Sequence, residues 1–206
     1  MKKVFVLALL FFITKISFAK VDSLVQPQVR FSPTMIANLL TEEKSYLKLT
    51  YGQPYKKGRR IFGNLVPYGE IWRLGANEAT EMTISKDFEV GTKKMKAGTY
   101  TLFALPAENK WTIYFNKKLG QWGTFDYQQS DNLFAIEIPV ETNKDVYEGF
   151  TVEMREVDNR LIHVYFLWDD VRTVLPLKLI DSIETPKIQE TAKEKRKRLR
   201  KERRGK

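Results

Sequence analysis

Apolar and polar residues alternate along most of this chain with a period of two. "YLKLTY" (46–51) alternates until Gly52 and Pro54 end it. "EMTISKDFEV" (81–90) gives two short runs around Lys86-Asp87. "TYTLFAL" (99–105) and "KWTIYFN" (110–116) flank the polar turn Ala107-Glu108-Asn109, a hairpin pattern. "LFAIEIPV" (133–140), "FTVEMREV" (150–157), "LIHVYFLW" (161–168) and "TVLPLKLI" (173–180) complete the series, with a second hairpin turn at Asp158-Asn159. β-branched and aromatic side chains fill each run, as a half-buried pleated surface requires. No eleven-residue window in the body sustains a 3.6-residue period. The pattern predicts an all-β fold, an antiparallel β-sandwich of jelly-roll-like or Ig-like type.

The two ends break this pattern. "MKKVFVLALLFFITKISFAK" places Lys2 and Lys3 before an apolar run, then Ser17-Phe18-Ala19, which reads as a signal peptide cleaved after Ala19. Residues 20–45 follow as an extended lead-in, because Pro27 and Pro33 block long helices. The sandwich domain is expected over 46–183. The basic tail, 184–206, is read as a charged, partly helical or disordered appendage, since Ile188, Ala192 and Leu199 are too few to anchor it to a core. The expected location is therefore periplasmic or extracellular.

The formal charge of +10 suggests a nucleic-acid partner until it is mapped. Residues 186–206 hold eleven Lys/Arg against three Glu, and 20–185 hold 21 basic against 22 acidic residues. The body is balanced, so the charge argues against a nucleic-acid-binding face and makes the tail a candidate for anionic surfaces.

The chain has no cysteine, which removes disulfides, thiolate nucleophiles and thiolate metal sites. His163 is the single histidine, no G-x-S-x-G accompanies it, and no second borderline ligand is at hand for a metal. No phosphate-cradling G-x-x-x-x-G-K occurs. Carboxylates at Glu137, Glu153, Glu156, Asp169 and Asp170 leave a two-carboxylate hydrolase open. No cofactor and no metal are expected.

The densest chemistry lies in "YGQPYKKGRRIFGNLVPYGEIWRLGANEAT" (51–80). It combines cations, aromatic faces and amides on a glycine-punctuated segment. Arg59, Tyr68, Trp72, Arg73, Asn77 and Glu78 are the candidate ligand-binding residues. Arginine beside aromatics suits carboxylates, phosphates and sugars, because its flat fork bonds and stacks at once. The same composition also suits a structural corner. In that reading Trp72 plugs the end of the core, and Arg73 and Asn77 bond backbone groups that would otherwise be orphaned. The two readings differ at Trp72 and Arg73. Replacing a ligand residue removes binding and spares the melting temperature, whereas replacing a structural one lowers it.

That segment resembles the signature of a family of secreted Gram-negative bacterial proteins catalogued as domain of unknown function 2911. "MKAGTYTLFALPAENKWTIYFNK", "WGTFDYQQSDN" and "LWDD" resemble its downstream pattern in the same order, so the likeness covers Val29 to Ile180. Gln53 and Phe134 stand where the family often carries arginine. The resemblance implies a secreted or envelope β-rich domain and no particular activity. The expected function is a non-catalytic module that binds a small molecule, glycan or envelope protein through Tyr51–Thr80. The alternatives are a carboxylate-based hydrolase of envelope or dietary polysaccharide, and a structural interaction module targeted by the basic tail.

Overall fold

The structure, a computed structural model, describes residues 30–183. The expected signal peptide, the first part of the lead-in and the basic tail lie outside the described residues. Among the described residues nine strands form: β1 (Thr34–Leu40), β2 (Tyr46–Gly52), β3 (Thr80–Ile84), β4 (Phe88–Val90), β5 (Lys93–Met95), β6 (Gly98–Pro106), β7 (Lys110–Asn116), β8 (Asn132–Asp158) and β9 (Leu161–Leu179). One 3-10 turn, Gln129–Asp131, is the only helical element among the described residues.

The alternation in the sequence sets the faces. In β2, Leu47, Leu49 and Tyr51 point inward while Tyr46, Lys48 and Thr50 remain accessible. In β7, Trp111, Ile113 and Phe115 do the same. β6 is buried along most of its length, because Phe103 on its second face is covered by Tyr127 at 4.9 Å between ring centroids.

Every ladder is antiparallel, and the order is β1-β2-β3-β6-β7-β8-β9-β4-β5 in one sheet. The all-β antiparallel expectation holds. A division into two separate sheets does not follow from the ladder, which is continuous. β8 pairs with β7 through Pro139 and with β9 from Val140 onward, so one strand serves both arms of the sheet. The arms meet across the core: Tyr51 lies edge-on to Phe150 at 5.6 Å, and Phe88 lies 6.2 Å from Phe115. A single apolar cluster takes residues from both arms.

Four elements differ from the sequence expectation. β1 lies inside the segment read as lead-in. β5 appears at Lys93–Met95. The four predicted runs from 133 to 180 merge into the two long strands β8 and β9. The β8–β9 register shifts between Thr142 and Tyr147 and again between Tyr147 and Thr151, so the polar break there is a bulged stretch rather than a turn. Pro176, which cannot donate to a ladder, falls between the paired positions Thr173 and Lys178 of β9.

Candidate functional site

The connection from β2 to β3, residues 53–79, is long for a compact domain and contains only isolated bridges. Its backbone is nonetheless tied down. Lys56 N–H donates to the Glu148 carbonyl, Gly69 N–H to Pro106, and Trp72 exchanges both of its backbone bonds with Ala104. Its apolar residues close one end of the core: Ile61, Phe62, Val66, Trp72 and Leu74 are all buried. Leu74 and Asn77 hold φ of 54° and 62°, and Asp169 nearby in β9 holds 56°. Left-handed conformations at non-glycine residues cost about 1–3 kcal/mol each and persist only where the surroundings impose them. Asp169 is ion-paired with Lys56 of the loop.

A cavity of about 390 Å³ opens in this loop, between its own residues, Ser32 from the approach to β1, Thr124 from the β7–β8 connection and Trp168 of β9. Four of the six candidate residues line it: Arg59, Trp72, Arg73 and Asn77. Tyr68 and Glu78 do not. Tyr68 is partly exposed and packs its ring edge on Gly63, and Glu78 is ion-paired with Arg30 at 2.8 Å.

Most of the lining side chains are already committed. Trp72 donates its indole N–H to the Gly75 carbonyl at 3.0 Å and stacks on Trp168 at 6.0 Å. It also meets Phe62, Trp111 and Phe150 edge-on. Asn77 donates its amide to the Ser32 carbonyl at 2.9 Å, fastening the chain before β1 to the loop. Arg59 donates Nη2–H to the Tyr55 carbonyl at 2.6 Å and Nε–H to Lys56 at 3.0 Å.

Arg73 differs from these. Among the described residues its guanidinium has no hydrogen bond and no ion pair, and its Nε is buried with no partner. Burial lowers its pKa from the usual arginine value. Arg73 is thus the cavity cation with its fork open. Glu70 also lines the cavity and is its only carboxylate among the described residues.

Sequence reasoning did not single out Ser32, Glu70 or Thr124. Thr124 sits within "WGTFDYQQSDN", but nothing local indicates that this element reaches the β2–β3 loop. The bridge between Glu78 and Trp122 makes that connection. Gln53 and Phe134 both have packing roles away from the cavity. Gln53 donates to the Phe150 carbonyl at 3.1 Å and accepts from the Tyr55 hydroxyl, while Phe134 lies 6.4 Å from Phe115. His163 faces its neighbour Tyr165, with Nδ1 3.4 Å from the hydroxyl.

A family model described as "Protein of unknown function (DUF2911)" matches residues 32–177. The chain belongs to the DUF2911 family. The match starts at Ser32 and ends within β9, so every residue lining the cavity falls inside the DUF2911 unit. No curated protein and no solved structure matches the chain.

Proposed function

We propose that this DUF2911 domain is a non-catalytic binding module of an exported protein, and that its β2–β3 loop forms the binding site. The observation that carries this reading is the open guanidinium of Arg73 in a cavity of about 390 Å³, a volume within the range of small-molecule sites. The loop around it is over-determined by backbone bonds and buried aromatics, so the cavity is preorganised rather than formed on binding. A hydrolase of the two-carboxylate kind needs a facing pair of carboxyls, and Glu70 stands alone in the wall. Asp169 is engaged by Lys56, Glu137 by Lys110 and Glu153 by Arg155.

The test is an amide-resolved NMR titration of the purified protein with a panel of neutral glycans, organic acids and short peptides. Shifts concentrated at Ser32, residues 59–77 and Thr124 are expected. A panel that moves no amide of this loop overturns the reading.

A further inference from the structure

We propose that the cavity takes a small-molecule carboxylate monoanion, gripped by Arg73 and flanked on one side by Phe125. This rests on the binding reading above and names the ligand's chemistry.

A half-buried guanidinium without an acceptor is an unstable element of a folded protein, because desolvation is not repaid by any bond. Arg73 is in that position: its Nε is sealed from water, and Glu70 in the same wall makes no ion pair with it. A planar group with two acceptor oxygens meets the guanidinium fork with two parallel hydrogen bonds, as carboxylates do.

The charge in the wall selects among anions. The charged lining residues are Arg59, Arg73 and Glu70, a net of one positive charge. Two of the Arg59 donor nitrogens are already used on Tyr55 and Lys56, so Arg59 contributes field more than grip. Among the described residues no lysine lines the cavity. A monoanion is matched by this wall, and a phosphate dianion is left under-neutralised.

Beside its polar groups, the surface around Arg73 also carries apolar side chains. Phe125 is 84% exposed, an unusual degree for a phenylalanine. Its ring edge and Arg73 Nη1 lie 3.2 Å and 3.5 Å from the point where Gly123 would carry a β-carbon. Ring edge and guanidinium therefore both border the Gly123 turn at the rim of the cavity, and Leu65 and Ile71 add apolar side chains to its wall. An acid with an apolar or aromatic body fits this pairing better than a bare inorganic anion.

The experiment titrates the purified protein with sodium benzoate, benzamide, sodium glucuronate and inorganic phosphate, read by amide NMR. Benzoate is expected to move Arg73, Asn77, Gly123 and Thr124 saturably, and benzamide is not. Arg73→Gln is expected to weaken benzoate about ten- to a hundredfold, the loss of a charge-assisted pair. Phe125→Ser, an exposed site that leaves folding intact, is expected to weaken benzoate while sparing glucuronate. Glucuronate binding more tightly than benzoate keeps the carboxylate and overturns the apolar flank. Equal binding of benzamide, preference for phosphate, or no response to either acid overturns the carboxylate assignment. Should a neutral glycan then still shift the same loop, the binding site stands and only its chemistry fails.

Discussion

The carbonyl oxygen of Ala76 occupies the space beside Gly52, 1.9 Å from where a β-carbon on Gly52 would sit, and Ala76 N–H donates to the Gly52 carbonyl at 3.1 Å. The end of β2 and the end of the cavity loop are thus in backbone contact that admits no side chain. Gly52→Ala is expected to destabilise the fold by about 3 kcal/mol or more, since the clash is with main chain rather than a movable side chain. Gly58→Ala is the internal control. That site is open but holds φ +70°, so only conformational strain of about 1 kcal/mol is expected. Urea unfolding of both variants checks the ordering, and a milder effect at Gly52 would remove this contact as a determinant of the loop.

Trp72 belongs to the structural part of the loop. Its ring touches four other aromatic rings and its N–H is held by Gly75. Trp72→Ala is expected to cost about 3–5 kcal/mol. Trp72→Phe is expected to cost about 1–3 kcal/mol, because it leaves the Gly75 carbonyl without its donor. The measurement is the denaturation midpoint of each variant. A Trp72→Ala protein as stable as the parent would put this side chain outside the core.

The sequence showed the type of element well and the long-range partners poorly. β2, β3 and β7 were readable because one face of each is buried and the other is not, which imprints a period of two, whereas β6, buried along most of its length, was readable from its β-branched and aromatic residues between two turns. β1 was not readable as a strand, because only Ala37 and Leu39 pack on the core and its outer positions include Ile36 and Leu40, so the two faces do not differ in polarity. β8 and β9 looked like four strands because a bulge and a turn use the same residues. "ETNKDVYEG" reads as a break, and only pairing with β9 shows that the strand continues through it. The six candidate residues were visible as a cluster. Their separation into committed and open side chains was not, since the Asn77 and Glu78 partners, Ser32 and Arg30, lie 45 and 48 residues away.

Arg73 is expected to behave in the opposite way to Trp72. Its side chain makes no hydrogen bond or ion pair among the described residues, and its Nε is buried without a partner, so its removal deletes a desolvation cost and no polar bond. Arg73→Met is expected to leave unfolding free energy unchanged or raise it by up to about 1 kcal/mol, the usual sign for a residue kept for binding rather than folding. Guanidinium chloride unfolding compares the two proteins. A loss above about 1 kcal/mol would show that the guanidinium supports the fold.

Asp87 provides a pH test independent of the cavity. Its Oδ1 accepts the Ala97 N–H and its Oδ2 the Ile183 N–H, both at 2.6 Å, with Lys96 at 3.5 Å. The carboxylate therefore clips the β5–β6 corner to the chain that leaves β9. The two amides, first Ala97 and then Ile183, hold its pKa below the ordinary aspartate value, with a smaller pull from Lys96 and opposed by burial. A carboxyl whose folded pKa is depressed contributes stability above its unfolded pKa and loses it as pH falls through the folded one. The contribution is thus complete at neutral pH and is expected to disappear between about pH 4 and the folded value below it. Asp87→Asn keeps the shape, but turns a donor toward one of the two N–H groups and removes the charge. It is expected to cost about 2 kcal/mol at pH 7 and progressively less as pH falls through the folded value, below which the parent is protonated as well. Urea midpoints of parent and variant across that range measure the gap. A gap that does not narrow at all as pH falls below the unfolded aspartate value, down to the point where the parent itself unfolds, would mean that the clip owes nothing to the charge of Asp87.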